Sequence, residues 1–211
     1  FRSDYRGAPG KWDWWSDVNM GGGTLGAIGS HAIDSFRWLL ATEVSEVCCV
    51  LSTHVGERPE KSTGQARPIT SDDDVKMLVR FADSDLTRKA TGSASLSVVE
   101  SGKSQNQLEV FGSKGALMVE ENGQLWHSPA GSGDWRTIEV EPNAVAPGMR
   151  DASWSRGFTV FAERIIEALR KGRSTVEGAA TFDDGYRIQL VLDAARESNK
   201  TGCWVKAKSE E

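Results

Sequence analysis

Between residues 44 and 141 the chain alternates apolar and polar side chains in one short segment after another, and that pattern leaves few folds open. In "DDVKMLVRFAD", Val75, Met77, Val79 and Phe81 alternate with Lys76 and Arg80, and in "ATGSASLSVVES", Ala94, Leu96 and Val98 alternate with serines. A period of two is that of strands with one face turned to a core. "NQLEVFGSKGALMVEENGQLWHS" continues the series with turns at 112–115 and 121–123, while "VSEVCCVLSTHV" and "DWRTIEVE" read as strands at its two ends. Strands joined this closely run antiparallel, because a parallel neighbour needs a crossover of about a dozen residues or more.

Helical patterns flank the sheet. From Leu25 to Leu40 the apolar residues fall at 25, 28, 32, 33, 36, 39 and 40, which is one face of a helix. After a loop at 141–153, Phe158, Phe161, Ala162, Ile165, Ile166 and Leu169 line a second helix, with Arg170 and Lys171 at its C-terminal end and Gly172 to stop it. A third begins near Thr181, which with Asp184 resembles a capping pair, and its face is Ile188, Val191, Leu192 and Ala195. Asp183 and Asp184 could act as paired carboxylates, but in a first turn they also complement the helix dipole. "GCWVKA" closes the chain as a short strand. The pattern predicts an α+β domain over residues 1–211, a largely antiparallel open sheet with helices packed on one face. Flexibility is expected in the loops 56–73 and 141–153 and at the ends.

Lys and Arg number 25 against 30 Asp and Glu, a net charge of −5, and no basic run appears. Neither nucleic acid nor an anionic membrane is therefore a favoured partner. No apolar stretch approaches the roughly 20 residues of a membrane span. The three cysteines, Cys48, Cys49 and Cys203, are odd in number and two are adjacent, which suits a reducing cytoplasm. "FRSDYRGAPG" carries neither a secretion signal nor an initiator Met, so part of a longer chain is expected.

"GGGTLGAIGSH" contains a literal G-x-G-x-x-G at Gly21, Gly23 and Gly26. A dinucleotide fingerprint needs a buried strand before the glycines and an acid closing the next strand. The preceding "KWDWWSDVNM" is charged and aromatic, and Glu43 and Glu46 stand before the next apolar run instead of at its end. The glycines instead suit a turn that lets a backbone or ligand approach the helix start. Steps of about 100° put Ala27, His31, Asp34 and Trp38 in one stripe opposite the apolar face. His31 and Asp34, three apart, match a general acid–base histidine held by a carboxylate; they equally match a surface histidine near a helix start. Trp12, Trp14 and Trp15 are core, interface or a stacking surface for a sugar. His54 and His127 have no acid or cysteine at ligand spacing, and no metal site, nucleophile elbow or P-loop is read.

The run "W-x5-GGG-x-L-x3-GSH-x2-D-x3-WLL" from Trp15 to Leu40 resembles the opening of the C-terminal domain of the glucose–fructose oxidoreductase, inositol dehydrogenase and MocA family. "ITSDDDVKMLVRFAD", "LEVFGSKGALMVEENGQLW" and "TFDDGYRIQLVLDAARESNKTGCWVKA" are similar to that domain in order and spacing, so the resemblance covers nearly the whole chain. It implies an NAD(P)-dependent oxidoreductase of a sugar, cyclitol or related polyol, with an N-terminal Rossmann domain outside this chain. It also implies subunit association through the open sheet, as a homodimer or larger. The cofactor would be held by the Rossmann domain, with no cofactor-binding residue here. By the resemblance His31 is the catalytic histidine, supported by Asp34, and the family's aspartate four residues earlier is Ala27. Either Asp34 or another acid such as Asp17 compensates, or the substrate differs, or the protein is not a conventional dehydrogenase. Trp15, Asp17 and Ser30 are the expected substrate-binding residues, and Gly21, Gly22 and Gly23 form the close-approach turn. The alternative is a non-catalytic binding or scaffold domain of the same fold.

Overall fold

The computed structural model describes residues 1–4, 10–100 and 105–208. They divide into two compact units, residues 1–106 with 182–211, and residues 107–181. The expected flexibility of the ends falls in part on 5–9 and 209–211, and the end of "ATGSASLSVVES" on Ser101, all outside the described residues.

The first unit contains β1 (Arg2–Asp4), α1 (Ser30–Leu40), β2 (Val44–Ser52), β3 (Glu57–Pro59), β4 (Ala66–Pro68), β5 (Asp74–Phe81) and β6 (Thr91–Ser97). The second holds most of β7 (Gln105–Gly112), then β8 (Gly115–Glu120), β9 (Leu125–Pro129), β10 (Arg136–Ile138) and α2 (Ser153–Arg170). The chain returns to the first unit with α3 (Phe182–Thr201) and β11 (Val205–Lys206).

In the first unit the strand order is β1-β6-β5-β2-β11. β2–β5, β5–β6 and β11–β2 are antiparallel, as the alternation requires. β1 departs from that expectation and runs parallel to β6, with Arg2 opposite Ser95 and Ser3 opposite Leu96. The register aligns Val47 with Val79, Cys49 with Met77, and Val75 with Leu96, so their side chains share one face. All six are buried. α1 and α3 cover this face. Phe36 meets the ring of Phe81 edge-on at 5.9 Å, and Ser198 Oγ accepts the Cys49 amide at 2.9 Å. The opposite face carries Glu46, Val50, Lys76, Leu78 and Arg80. Val50 and Leu78 are 57% and 51% exposed.

The stretch 56–73, expected as a flexible loop, contains the β3–β4 hairpin. Trp12 holds it: its backbone amide donates to Pro59 O, its indole to Pro68 O, and the Arg67 guanidinium lies 3.3 Å above the ring. The three upstream tryptophans therefore separate. Trp12 is core, whereas Trp14 is 50% exposed and stacks obliquely on Trp15.

In the second unit β7 to β10 form an antiparallel meander. The expected apolar face of α2 is not buried: only Ala168 is, while Phe158 and Leu169 are 62% and 69% exposed. Packing of helices on the sheet is thus a property of α1 and α3. Asp183 and Asp184 do stand in the first turn of α3, where Asp183 pairs with Arg187 and Asp184 with Arg37 of α1. Arg37 also forks onto Glu43 at 2.8 and 3.0 Å, and that carboxylate raises the guanidinium pKa. This ion-paired network ties α1 to α3 and is not an acid–base pair.

Candidate active site

The glycines and the site residues that the resemblance implies, Trp15, Asp17, Ser30, His31 and Asp34, lie on one continuous stretch of the first unit. Two short 3₁₀ turns open it, Trp14–Ser16 and Val18–Met20. Asp17 caps the second turn, its Oδ1 accepting the Asn19 amide at 2.9 Å and facing the Thr70 hydroxyl at 3.4 Å. That oxygen is engaged in holding the turn. Trp15 is half-buried, and its carbonyl accepts from Ser71 Oγ at 2.7 Å.

The glycines follow. Gly21 ends the second turn in the left-handed conformation. At Gly22 a Cβ would overlap the Trp15 carbonyl oxygen and lie 2.6 Å from that of Trp14, so only glycine fits. Gly23 has φ +115°, and a Cβ there would overlap Asp72 Oδ1. The close approach made possible by the glycines is therefore filled by the protein's own backbone and by a carboxylate.

Asp72 was not singled out from the sequence. Its Oδ2 accepts the Leu25 amide at 2.7 Å, and its carbonyl accepts the Thr24 amide at 3.0 Å. The Thr24 hydroxyl is buried without a partner among the described residues, so the usual local cap is not the one in use. Burial pushes the Asp72 carboxyl above its ordinary pKa, against the opposing effect of backbone amides and the Arg196 charge. A dinucleotide pyrophosphate needs free amides and no negative charge at a helix start. Here both amides are taken and the anion is already in place, so these residues do not fit a pyrophosphate.

The helix then begins with an unexpected winding. Leu25–Gly29 is a π turn, and α-helical spacing starts at Ser30. The uniform stripe from Ala27 onward must be corrected: Ala27 lies in the wider turn and does not share the 100° phase of the residues after it. From Ser30 on, the period holds. Ala32, Ile33 and Phe36 are buried, His31 is exposed, Asp34 is half-buried, and Trp38 is 72% exposed. Ser30 turns its hydroxyl back to the Ala27 carbonyl at 3.5 Å.

Thus Trp15, Asp17 and the glycines form one knot of turns, and Ser30, His31 and Asp34 ride on the helix it opens. The other titratable groups stand elsewhere. His54 lies past the end of β2, where Asp73 accepts its amide, and His127 sits in β9. Burial raises Cys49 to about 12, with Asp72 and Cys48 adding to the effect. Among the described residues no cluster of three or more His, Cys, Asp or Glu is placed to hold a metal ion, and no helix is long and apolar enough to cross a membrane.

Residues 1–118, which include the glycine turn and the whole of α1, match the model of the GFO/IDH/MocA C-terminal domain. The chain belongs to that family. Levoglucosan dehydrogenase of Pseudarthrobacter phenanthrenivorans is 29% identical to this chain over 226 residues, covering 92% of this chain and 56% of its own length. Two solved structures agree in fold. Levoglucosan dehydrogenase in complex with NADH and L-sorbose gives a TM-score of 0.81 at 25% identity, over 98% of this chain and 57% of that one. Its complex with NADH and levoglucosan gives 0.79 at 26%, over 97% and 56%. The chain spans about half the length of the curated relatives it matches.

Proposed function

We propose that this chain is the substrate-binding and oligomerising part of an NAD(P)-dependent oxidoreductase acting on a sugar, cyclitol or related polyol. The observation that carries the reading is the division of α1 into two sides. One side, Ala32, Ile33 and Phe36, is sealed into the core, while His31 and Asp34 are presented away from it on a helix start fixed by packed glycines. A rigid scaffold holding an exposed imidazole is what general acid–base chemistry on a bound hydroxyl needs.

In the complete enzyme a nicotinamide cofactor, held by a Rossmann domain, would supply the acceptor for the hydride of the carbinol carbon. This chain's share is the proton. An imidazole nitrogen of His31 accepts it from the hydroxyl as the C=O bond forms, and Asp34 holds the ring. Trp15 offers an apolar wall for a sugar ring and Ser30 a hydroxyl close to the helix start. Ala27 leaves space where the family pattern has an acid. Because Asp17 is engaged in its turn, Asp34 is the better placed of the two acids to compensate. Three free cysteines fit a cytoplasmic setting.

The reading is tested by assaying the complete polypeptide for NAD- and NADP-dependent oxidation of a panel of sugars, anhydrosugars and cyclitols. Turnover on some of them is expected. Its absence across the panel favours the second reading, a non-catalytic binding or scaffold domain, which Ala27 specifically supports.

Two further results are expected of this chain by itself. Titration with NADH or NADPH, followed by tryptophan quenching or calorimetry, should give no saturable binding at micromolar concentrations. Saturable binding there would overturn the account of the glycine turn, after which Asp72 occupies the amides of Thr24 and Leu25. The chain should also self-associate through the uncovered face of the first unit's sheet. Val50 and Leu78 stand exposed there beside the Arg80–Glu46 and Lys76–Asp74 pairs. Sedimentation velocity should report a dimer, and a monomer at the highest attainable concentration would refute this.

A further inference from the structure

We propose that Asp72 is a positioning residue for the candidate catalytic helix: from 47 residues away its carboxylate anchors the first turn, holds the π winding of Leu25–Gly29, and so sets the placement of Ala27 and Ser30 relative to His31. Its consequence for catalysis rests on the dehydrogenase reading above; the anchoring itself does not.

Three independent features of the geometry converge. The Leu25 amide, a donor that the helix cannot satisfy internally, goes to Asp72 Oδ2 at 2.7 Å. Thr24, the residue in position to cap the helix, makes no such bond, and its hydroxyl is buried without a partner among the described residues. Gly23 is matched to the acid: a Cβ there would overlap Oδ1 and lie 3.1 Å from Cγ, so the seat of the carboxylate exists only because residue 23 has no side chain.

The anchor also reaches other elements. Asp72 precedes β5, whose neighbour Asp73 is bound by the amides of His54 and Val55, so the acid sits on a stiff corner. Arg196 of α3 lies on the other side, its guanidinium 3.8 Å from where a Cβ of Gly26 would stand, and its charge favours the carboxylate. A π turn is frequently associated with function, because it displaces the residues before it from their α-helical phase.

The test is hydrogen exchange on this chain, read at single amides. In Asp72→Ala the Leu25 amide should exchange about tenfold faster or more, while the sheet amides of Val79 and Leu96 stay within about twofold of wild type. Asp72→Asn keeps an acceptor oxygen and should restore protection. Gly23→Ala, which displaces the carboxylate, should reproduce the Asp72→Ala effect, and the double variant should exchange little faster than either single one. Unchanged Leu25 exchange in Asp72→Ala, or full additivity of the two substitutions, would overturn the proposal. If Asp72→Ala does not fold, Asp72→Asn and Gly23→Ala still decide it: the proposal fails unless the first protects Leu25 and the second exposes it.

In the complete enzyme, Asp72→Ala should lower kcat about tenfold with KM for the cofactor unchanged, and Asp72→Asn should recover it. Faster exchange without a change in kcat overturns the positioning role. If the wild type itself turns over nothing, the dehydrogenase reading has failed, and the exchange results alone decide whether Asp72 is the anchor.

Discussion

In the complete enzyme, His31→Ala is expected to lower kcat by about a hundredfold or more while leaving cofactor affinity and folding nearly intact. A positioned general base contributes about 10²–10⁴-fold to a rate, and imidazole is the side chain whose ordinary titration range spans neutrality. The side chain of His31 is exposed, whereas the residues that fix α1 to the protein, Ala32, Ile33 and Phe36, are buried beside it. Truncation at position 31 therefore removes the imidazole without opening a cavity. Asp34→Asn should cost less than His31→Ala, since in this reading the carboxylate only orients the ring that carries the proton. Steady-state kinetics with thermal melts separates the outcomes. Turnover retained at the wild-type level, or a domain that unfolds instead, would make His31 a structural residue.

Gly22→Ala should be the most damaging single methyl in the turn, at about 3 kcal/mol, or roughly 6–12 °C in Tm for a chain of this size. The added carbon meets backbone, the carbonyls of Trp14 and Trp15, and no flexible side-chain end. Neither carbonyl can move freely. Trp15 O is held by the Ser71 hydroxyl at 2.7 Å, and Trp14 O accepts the Asp17 amide at 3.2 Å. Gly22 itself is drawn in by its amide bond to Asp17 O at 2.9 Å. Gly21→Ala is the control: nothing stands within 4 Å of its Cβ, so its cost is the left-handed φ of +78° alone, about 1 kcal/mol. Urea unfolding of the two variants gives the difference. Equal destabilisation would mean that the packing of residue 22 against the tryptophan turn is not what makes glycine necessary there.

The antiparallel sheet was legible in the residues alone, because the period-two pattern of residues 75–81 and 94–98 and the short turns at 112–115 and 121–123 leave strands no other pairing. So was the side of α1 that faces out: the spacing of Ala32, Ile33 and Phe36 turns His31 and Trp38 to the surface whatever the helix packs against. These are local properties, written in residues a few positions apart. The features that local pattern could not supply depend on groups distant in the chain. The π turn at Leu25–Gly29 has no local signature, since its amide partner is Asp72, and the acidic run 72–74 reads from the sequence only as the approach to a strand. The parallel strand Arg2–Asp4 and the hairpin closed over Trp12 are three-residue strands held by long-range partners, too short for any period to appear. Asp17 and the glycines were visible as candidates. Asp72 was not, and only the fold shows that the space beside the glycines is filled by its carboxylate and by the backbone of Trp14 and Trp15. Periodicity records which way a side chain points; what it meets there is fixed when sheet, turn and helix close on one another, because an unpaired buried amide or carboxylate costs too much to leave without a partner.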